Sequence, residues 1–306
     1  MGVLYNRRYS LLIGETKAQG VLVTTEPLES DTASVNNNVL NIEFSITKSY
    51  KADAKNTARI TIYNLSNESI DKIVKDNKVI LKAGYEFDGI RPIFLGQVEN
   101  VSSEVHGEVV KTIINCIDGY TTIREGFTAE TFSPTTTVET ILRTIITQDL
   151  GFANPRMNNG KLGPNTGLAK IYQGGSAKVG DSAEIVSRIC SDNFLTWNIR
   201  DGEVFVYPVD GSTGIEVPLI SADSGMLGTP RRAQDNSNKA KDSKELKDIV
   251  KVKVLLQGVY NVGDLVKVES LFTNGLYRIS KLTHKGSYDG TDWVTDLELS
   301  EGVKVL

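Results

Sequence analysis

The residues able to do chemistry are few and scattered. Two cysteines, Cys116 and Cys190, and two histidines, His106 and His284, are all the chain holds of those types. No CxxC pair and no paired histidines occur, so the usual zinc spacings are absent. The cysteines read as half-buried thiols in a reduced compartment. Serine catalysis lacks its GxSxG elbow, and no phosphate-binding loop is present. Acidic residues are plentiful, at 38. A glycosidase needs two carboxylates across a cleft, one with a raised pKa. Asp118 and Asp292 come nearest to that pattern, and both read as turn or strand-end acids. Trp197 could stack on a sugar, but it alternates with Leu195 and Ile199 on one strand face and reads as core. Trp293 reads as an anchor of the last strands. The expectation is a protein that is not an enzyme, with no cofactor and no metal.

The elements around these residues are mostly strands. The most informative stretch is Asn56 to Gly96. Ala58, Ile60 and Ile62 fall on one strand face, and Arg59, Thr61 and Tyr63 on the other. Ser66 is a natural N-cap for a short helix ending near Asp76, with Ile70, Ile73 and Val74 at helical spacing. Val79, Leu81 and Ala83 then resume a period of two. The stretch reads as a strand edge with a small helix attached, a device for assembly.

Before it, Tyr9–Ile13 and Gly20–Thr24 are short strand candidates, and Pro27–Asn38 reads as a loop. Leu40, Ile42, Phe44 and Ile46 alternate with polar residues, which gives a strand wet on one face. Ile93–Val101 and Val109–Ile117 follow as a hairpin. Residues 1–125 thus form a first β unit.

Residues 126–206 differ. One amphipathic helix starts near Thr136, with Glu139 at capping-box spacing and Gly151 to end it. Its apolar stripe is Val138, Ile141, Leu142, Ile145 and Ile146. Residues 153–180 read as a long loop with one strand near Ala169–Tyr172. A second helix starts near Asp181 or Ser182, with Glu184 placed for a capping box. A hairpin follows, turning on Asp201-Gly202.

Residues 207–306 return to β, with candidates at Ile215–Ile220, Ile249–Leu256, Asp264–Glu269, Tyr277–His284 and Trp293–Leu299. Residues 231–247, polar and mixed in charge, read as an exposed loop. The fold class is mainly β, as α+β: two tube-like antiparallel barrels flanking a smaller helix-containing middle region.

The two β regions echo each other. KVILKAGY, FLGQVENVSSEVHG and VVKTIINCIDG in the first match DLVKVES, NGLYRISKLTHKG and DWVTDLELSEG in the second. The match pairs His106-Gly107 with His284 and Gly286. Three copies of such a chain would present six similar units.

Net charge is −4, which argues against a protein that holds nucleic acid through a basic surface. No apolar run approaches the ~20 residues of a membrane span. Arg7-Arg8 precedes too short an apolar run for a secretory leader.

LNIEFSITKSYKADAKNTARITIYNLS, VILKAGY, IFLGQV and the ending GLYRISKLTHKGSYDGTDWVTDLEL resemble the baseplate hub proteins of contractile-tail phages. So do DSAEIVSRICSDNFLTWNIRDGEVFVYP, GMLGTPRR and KVLLQGVYNVGDLVKVES. The resemblance covers most of the chain from about Leu40. It implies a homotrimer whose six barrels continue a hexameric tail tube and meet a trimeric central spike. The implied partners are the tube protein, the spike, a tape measure protein and a baseplate wedge. DNA would pass through without specific binding. The implied place is the tail baseplate of a virion assembled in the host cytoplasm. Tailocins and secretion-system spikes share this architecture. Arg59, Ile62, Tyr63, Ser66, Ile70, Ile73 and Tyr85 are the interface candidates. The competing readings are a tail-tip peptidoglycan hydrolase and a wall-binding module.

Overall fold

A computed structural model describes residues 5–14, 20–26, 39–50, 55–119, 125–234 and 248–300. The first region contains β1 (Arg7–Ile13), β2 (Val21–Thr24), β3 (Ile42–Ser49), β4 (Thr57–Tyr63), a short helix α1 (Asn67–Asp71), β5 (Lys78–Tyr85), β6 (Gly89–His106) and β7 (Val109–Ile117). The middle holds β8 (Phe127–Phe132), β9 (Thr136–Thr137), α2 (Val138–Thr144), β10 (Arg156–Met157), β11 (Ile171–Tyr172), β12 (Ser176–Asp181), α3 (Ser182–Asp192), β13 (Leu195–Arg200) and β14 (Glu203–Pro208). The last region holds β15 (Met226–Gln234), β16 (Asp248–Leu255), β17 (Leu265–Glu269), β18 (Asn274–Ser287) and β19 (Trp293–Ser300). The chain is mainly β with a small helical part.

The two β regions join in one 12-stranded sheet, in the order β15-β16-β19-β18-β3-β4-β7-β6-β5-β1-β2, with β17 on β18. The seam is β18 against β3, antiparallel, with Lys285 opposite Ser45 and Gly286 opposite Phe44. Alternation explains its register: Ile42, Phe44 and Ile46 go to the core while Glu43 and Ser45 stay wet. β4 has β3 on one side and β7 on the other. It is therefore an interior strand, not the edge that its isolated pattern implies.

Each region builds the same five-strand path. Strands β3 to β7 lie in the order 3-4-7-6-5, and β15 to β19 lie in the order 15-16-19-18-17. Both carry a bulge at the matching place, between Val98 and Asn100 in β6 and between Ile279 and Lys281 in β18. The echo is thus a topological repeat. Its histidines do not correspond, however. The bulges align His284 with Ser103, while His106 sits at the β6–β7 hairpin end opposite Val109.

Three apolar clusters form the cores. The first gathers β1 to β7 and also takes Leu256 and Trp293 from the last region. Trp293 lies edge-on to Phe44, with ring centroids 5.4 Å apart, and its indole N–H donates to the Gly84 carbonyl at 3.2 Å. It anchors the seam, where the sequence places it with the last strands alone. The second cluster packs α2 and α3 on β13 and β14. The third lies among β15 to β19.

Several local expectations shift. α1 ends at Asp71 rather than near Asp76, because the Asn77 side chain accepts the Val74 N–H and diverts the chain. Ile73 stays buried and Val74 is exposed. α2 is capped by Thr137, one residue after Thr136, and continues as a π-helical turn over Ile145–Asp149. Its whole predicted stripe is buried. α3 is capped by Asp181, one of the two expected starts. Part of the predicted loop 153–180 is strand, since β12 pairs with β8. Neither strand has a fully apolar face, which left no signal. Ile215–Ile220 makes only two parallel bridges to β17, interrupted at Pro218, which lacks an N–H. Arg231–Gln234, the start of the predicted exposed loop, belongs to β15 and pairs with β16. The rest of that loop and the Pro27–Asn38 loop lie outside the described residues. Both cysteines are fully buried and free, not half-buried.

A charged joint and a candidate assembly surface

The middle region meets the sheet through its hairpin tip. Asp201 (φ +54°) and Gly202 (φ +81°) both take the left-handed conformation that a two-residue hairpin needs. This turn projects Asp201 toward β3. Lys48 Nζ donates to both Asp201 carboxylate oxygens, at 2.7 and 2.8 Å. The Asp201 N–H donates to Asp118 Oδ2 at 2.8 Å, and the Leu95 N–H donates to Asp201 Oδ1 at 3.3 Å. Asn56 Nδ2 donates to the Ile199 carbonyl while its Oδ1 accepts from the Ser49 N–H.

On the other side Arg200 donates to Asp264 at 2.8 Å and stacks over Phe205, 4.0 Å from the ring centroid. Thr213 adds a hydrogen bond to Asp264 at 2.6 Å. One hairpin tip therefore bolts the middle region to both β regions. Lys48 occupies a core-facing position of β3, and its side chain is only 1% exposed. A lysine in the phase of Ile42, Phe44 and Ile46 was the readable signal, and the sequence reasoning passed over it.

Burial, with the neighbouring Asp201 charge second, pushes the Asp118 carboxyl up to about 6. So an acid that reads from the sequence as a turn or strand-end residue sits in a pKa-raising setting. Its geometry is structural, because it caps the hairpin turn. Asp292 is an exposed turn residue whose carbonyl accepts from the Ser287 N–H. The two lie at opposite ends of β3, ~17 Å apart along the strand. His284 is buried, with Nδ1 2.8 Å from Thr295 Oγ1, and burial, aided by the Lys48 charge, pushes its pKa down to about 3. No group of three metal-ligating side chains gathers among the described residues. Trp197 is buried, and its indole N–H donates to Ser187 at 3.0 Å.

The interface candidates divide. Ile62, Ile73 and Tyr85 are buried in the first core. Arg59 is exposed on the wet face of β4, Ser66 is exposed at the start of α1, and Tyr63 and Ile70 are half-buried, Ile70 against the first core. The wet face runs unbroken across the seam. It carries Arg59, Ser45 and Lys285, then Asp296, Lys253, Glu298 and Lys251. Ion pairs Lys251–Glu298 (3.2 Å) and Lys285–Asp296 (3.0 Å) balance its charge.

The fold has solved counterparts. A 43 kDa tail protein of prophage MuSo2 from Shewanella oneidensis aligns with a TM-score of 0.63 at 8% identity, over 98% of this chain and 100% of that one. The fold is that of phage tail proteins. A tail protein from Neisseria meningitidis also aligns at 0.63 and 8% identity, over 98% of each chain. An Escherichia coli type VI secretion component, described as similar to the T4 tail proteins gp27 and gp5, aligns at 0.58 and 12% identity. It covers 90% of this chain and 76% of its own. This hub-like likeness holds at the level of fold. No family model and no curated protein sequence matches the chain. No helix among the described residues is long and apolar enough to cross a membrane.

Proposed function

We propose that the chain is a structural baseplate hub of a phage or phage-like contractile tail. Three copies form a ring of six similar units, which joins a sixfold tail tube to a threefold central spike. The observation that carries this reading is the internal repeat: two five-strand units of one topology, each bulged at the same place. A trimer of such a chain has threefold symmetry and sixfold appearance. The shared fold with tail proteins supports the same reading.

In this reading residues 1–125 and 207–306 are the two tube-like units, and 126–206 faces the spike. The continuous wet face lines the bore. Its paired charges and the net charge of −4 keep DNA, or a tape measure protein, from sticking. Arg59 then serves the bore, while Tyr63, Ser66 and Ile70 remain contacts for a neighbour, the tube or a wedge. The working place is the virion tail, after assembly in the host cytoplasm.

Native mass of the purified chain, alone and with its spike, tests this. A three-chain species is expected. A particle that stays monomeric with the spike present sinks the reading.

A further inference from the structure

Two of the sheet edges left open among the described residues, on β6 and β15, correspond to strands that pair at the seam. β5 covers β6 only as far as Gln97, so among the described residues Asn100–His106 has β7 on one side and no strand on the other. Among the described residues β15 ends the sheet path, with β16 on one side only. Unpaired edges of this kind template association with another chain. Val105, 74% exposed on the open part of β6, is the apolar residue such an edge leaves uncovered.

The internal repeat states what covers them. In the repeat, β6 corresponds to β18 and β15 to β3. Within one chain, β18 pairs with β3 to make the seam. The corresponding pair, β6 with β15, does not form within one chain: β15 ends the path beside β16, and β6 lies beyond the seam between β7 and β5.

We infer that β6 of one copy pairs antiparallel with β15 of the next, in a fixed register that sets Glu104 opposite Arg231. This rests on the hub reading and specifies its subunit contact.

The register follows from the pairings. Asn100 and Lys281 each directly follow the bulge residue, so Glu104 corresponds to Lys285. Arg59 lies between Ser45 and Asn115, and Lys251 lies between Arg231 and Glu298, so Arg231 corresponds to Ser45. Lys285 faces Ser45 across the seam. Glu104 therefore faces Arg231 between copies, and Ser102 faces Ala233 as Thr283 faces Thr47. Both charged side chains are exposed in the single chain. An opposite-charge pair directly across two strands favours that register over its neighbours.

Cysteine pairing tests this on the full chain. Facing residues on antiparallel strands sit at disulfide distance, whereas a two-residue offset exceeds it. The native thiols are buried, which holds their pKa up (Cys116 to about 12), so they stay out of the reaction. Under mild oxidation, Glu104→Cys with Arg231→Cys should give a reducible ladder reaching the full oligomer. Neither single variant should, and Glu104→Cys with Ala233→Cys should give little. As a second readout, Glu104→Arg should weaken association severalfold, and Glu104→Arg with Arg231→Glu should restore it. An oligomer without the ladder, or with the ladder only in the offset pair, overturns the register and leaves the hub reading standing. An unmodified chain that is monomeric at every concentration and with the spike overturns both.

Discussion

Lys48 on β3 and Asp201 at the tip of the β13–β14 hairpin lie 153 positions apart and form a two-pronged ion pair, at 2.7 and 2.8 Å. The lysine is buried, and the aspartate side chain keeps 21% of its exposure. That asymmetry decides how the joint fails. Asp201→Asn keeps a residue that tolerates the left-handed turn but strands a charge in the core. Breaking a buried pair this way costs about 3–5 kcal/mol. Lys48→Met leaves Asp201 partly in water and should cost less. The double variant should recover most of the loss of Asp201→Asn. Urea unfolding of the three variants checks this order, and equal losses from both single changes would contradict it.

The joint also sets a pH response with two opposed parts. The folded chain holds His284 neutral down to about 3, while the unfolded histidine protonates near 6.5. Its contribution is complete above pH 6.5 and is lost as pH falls toward 3. Asp118 has the opposite sign. Its folded pKa of about 6 lies above the unfolded 3.8, so stability is gained as pH falls through that window. His284→Gln should therefore flatten the acid loss of stability. Asp118→Asn should raise stability at pH 7.5 and change little at pH 4. Unfolding midpoints across this range read both slopes, and parallel curves for all variants would contradict the assignment.

The seam depends on a missing side chain. A Cβ on Gly286 would lie 2.2 Å from the Phe44 ring, which packs against Trp293. Gly286→Ala should force Phe44 aside and destabilise the chain by about 1–3 kcal/mol. Gly286→Ala with Phe44→Leu should recover part of that. Thermal unfolding measures both, and a neutral Gly286→Ala would show that the seam is looser than its contacts imply.

Much of this was legible locally. The alternation of β3 and β4, the stripe of α2, the Asp181 and Ser66 caps and the Asp201-Gly202 turn each follow from side-chain phase or backbone preference within a few residues. The strand order of the echo was legible too. What stayed hidden is long-range. Nothing near Lys285 states that it will face Ser45, and an isolated pattern cannot tell an interior strand from an edge, as β4 shows. Lys48 was visible as a charge in an apolar phase, but its partner lies on another region. β8 and β12 gave no signal because their faces are mostly polar or half-buried.

The central claim is that one chain holds two equivalent units and that three chains close the ring. Native mass spectrometry, followed by electron microscopy of the same sample with the spike present, measures this most directly. The account predicts a three-chain particle whose end view shows six similar lobes around an open bore. A monomer, or a closed ring of any other copy number, would contradict it.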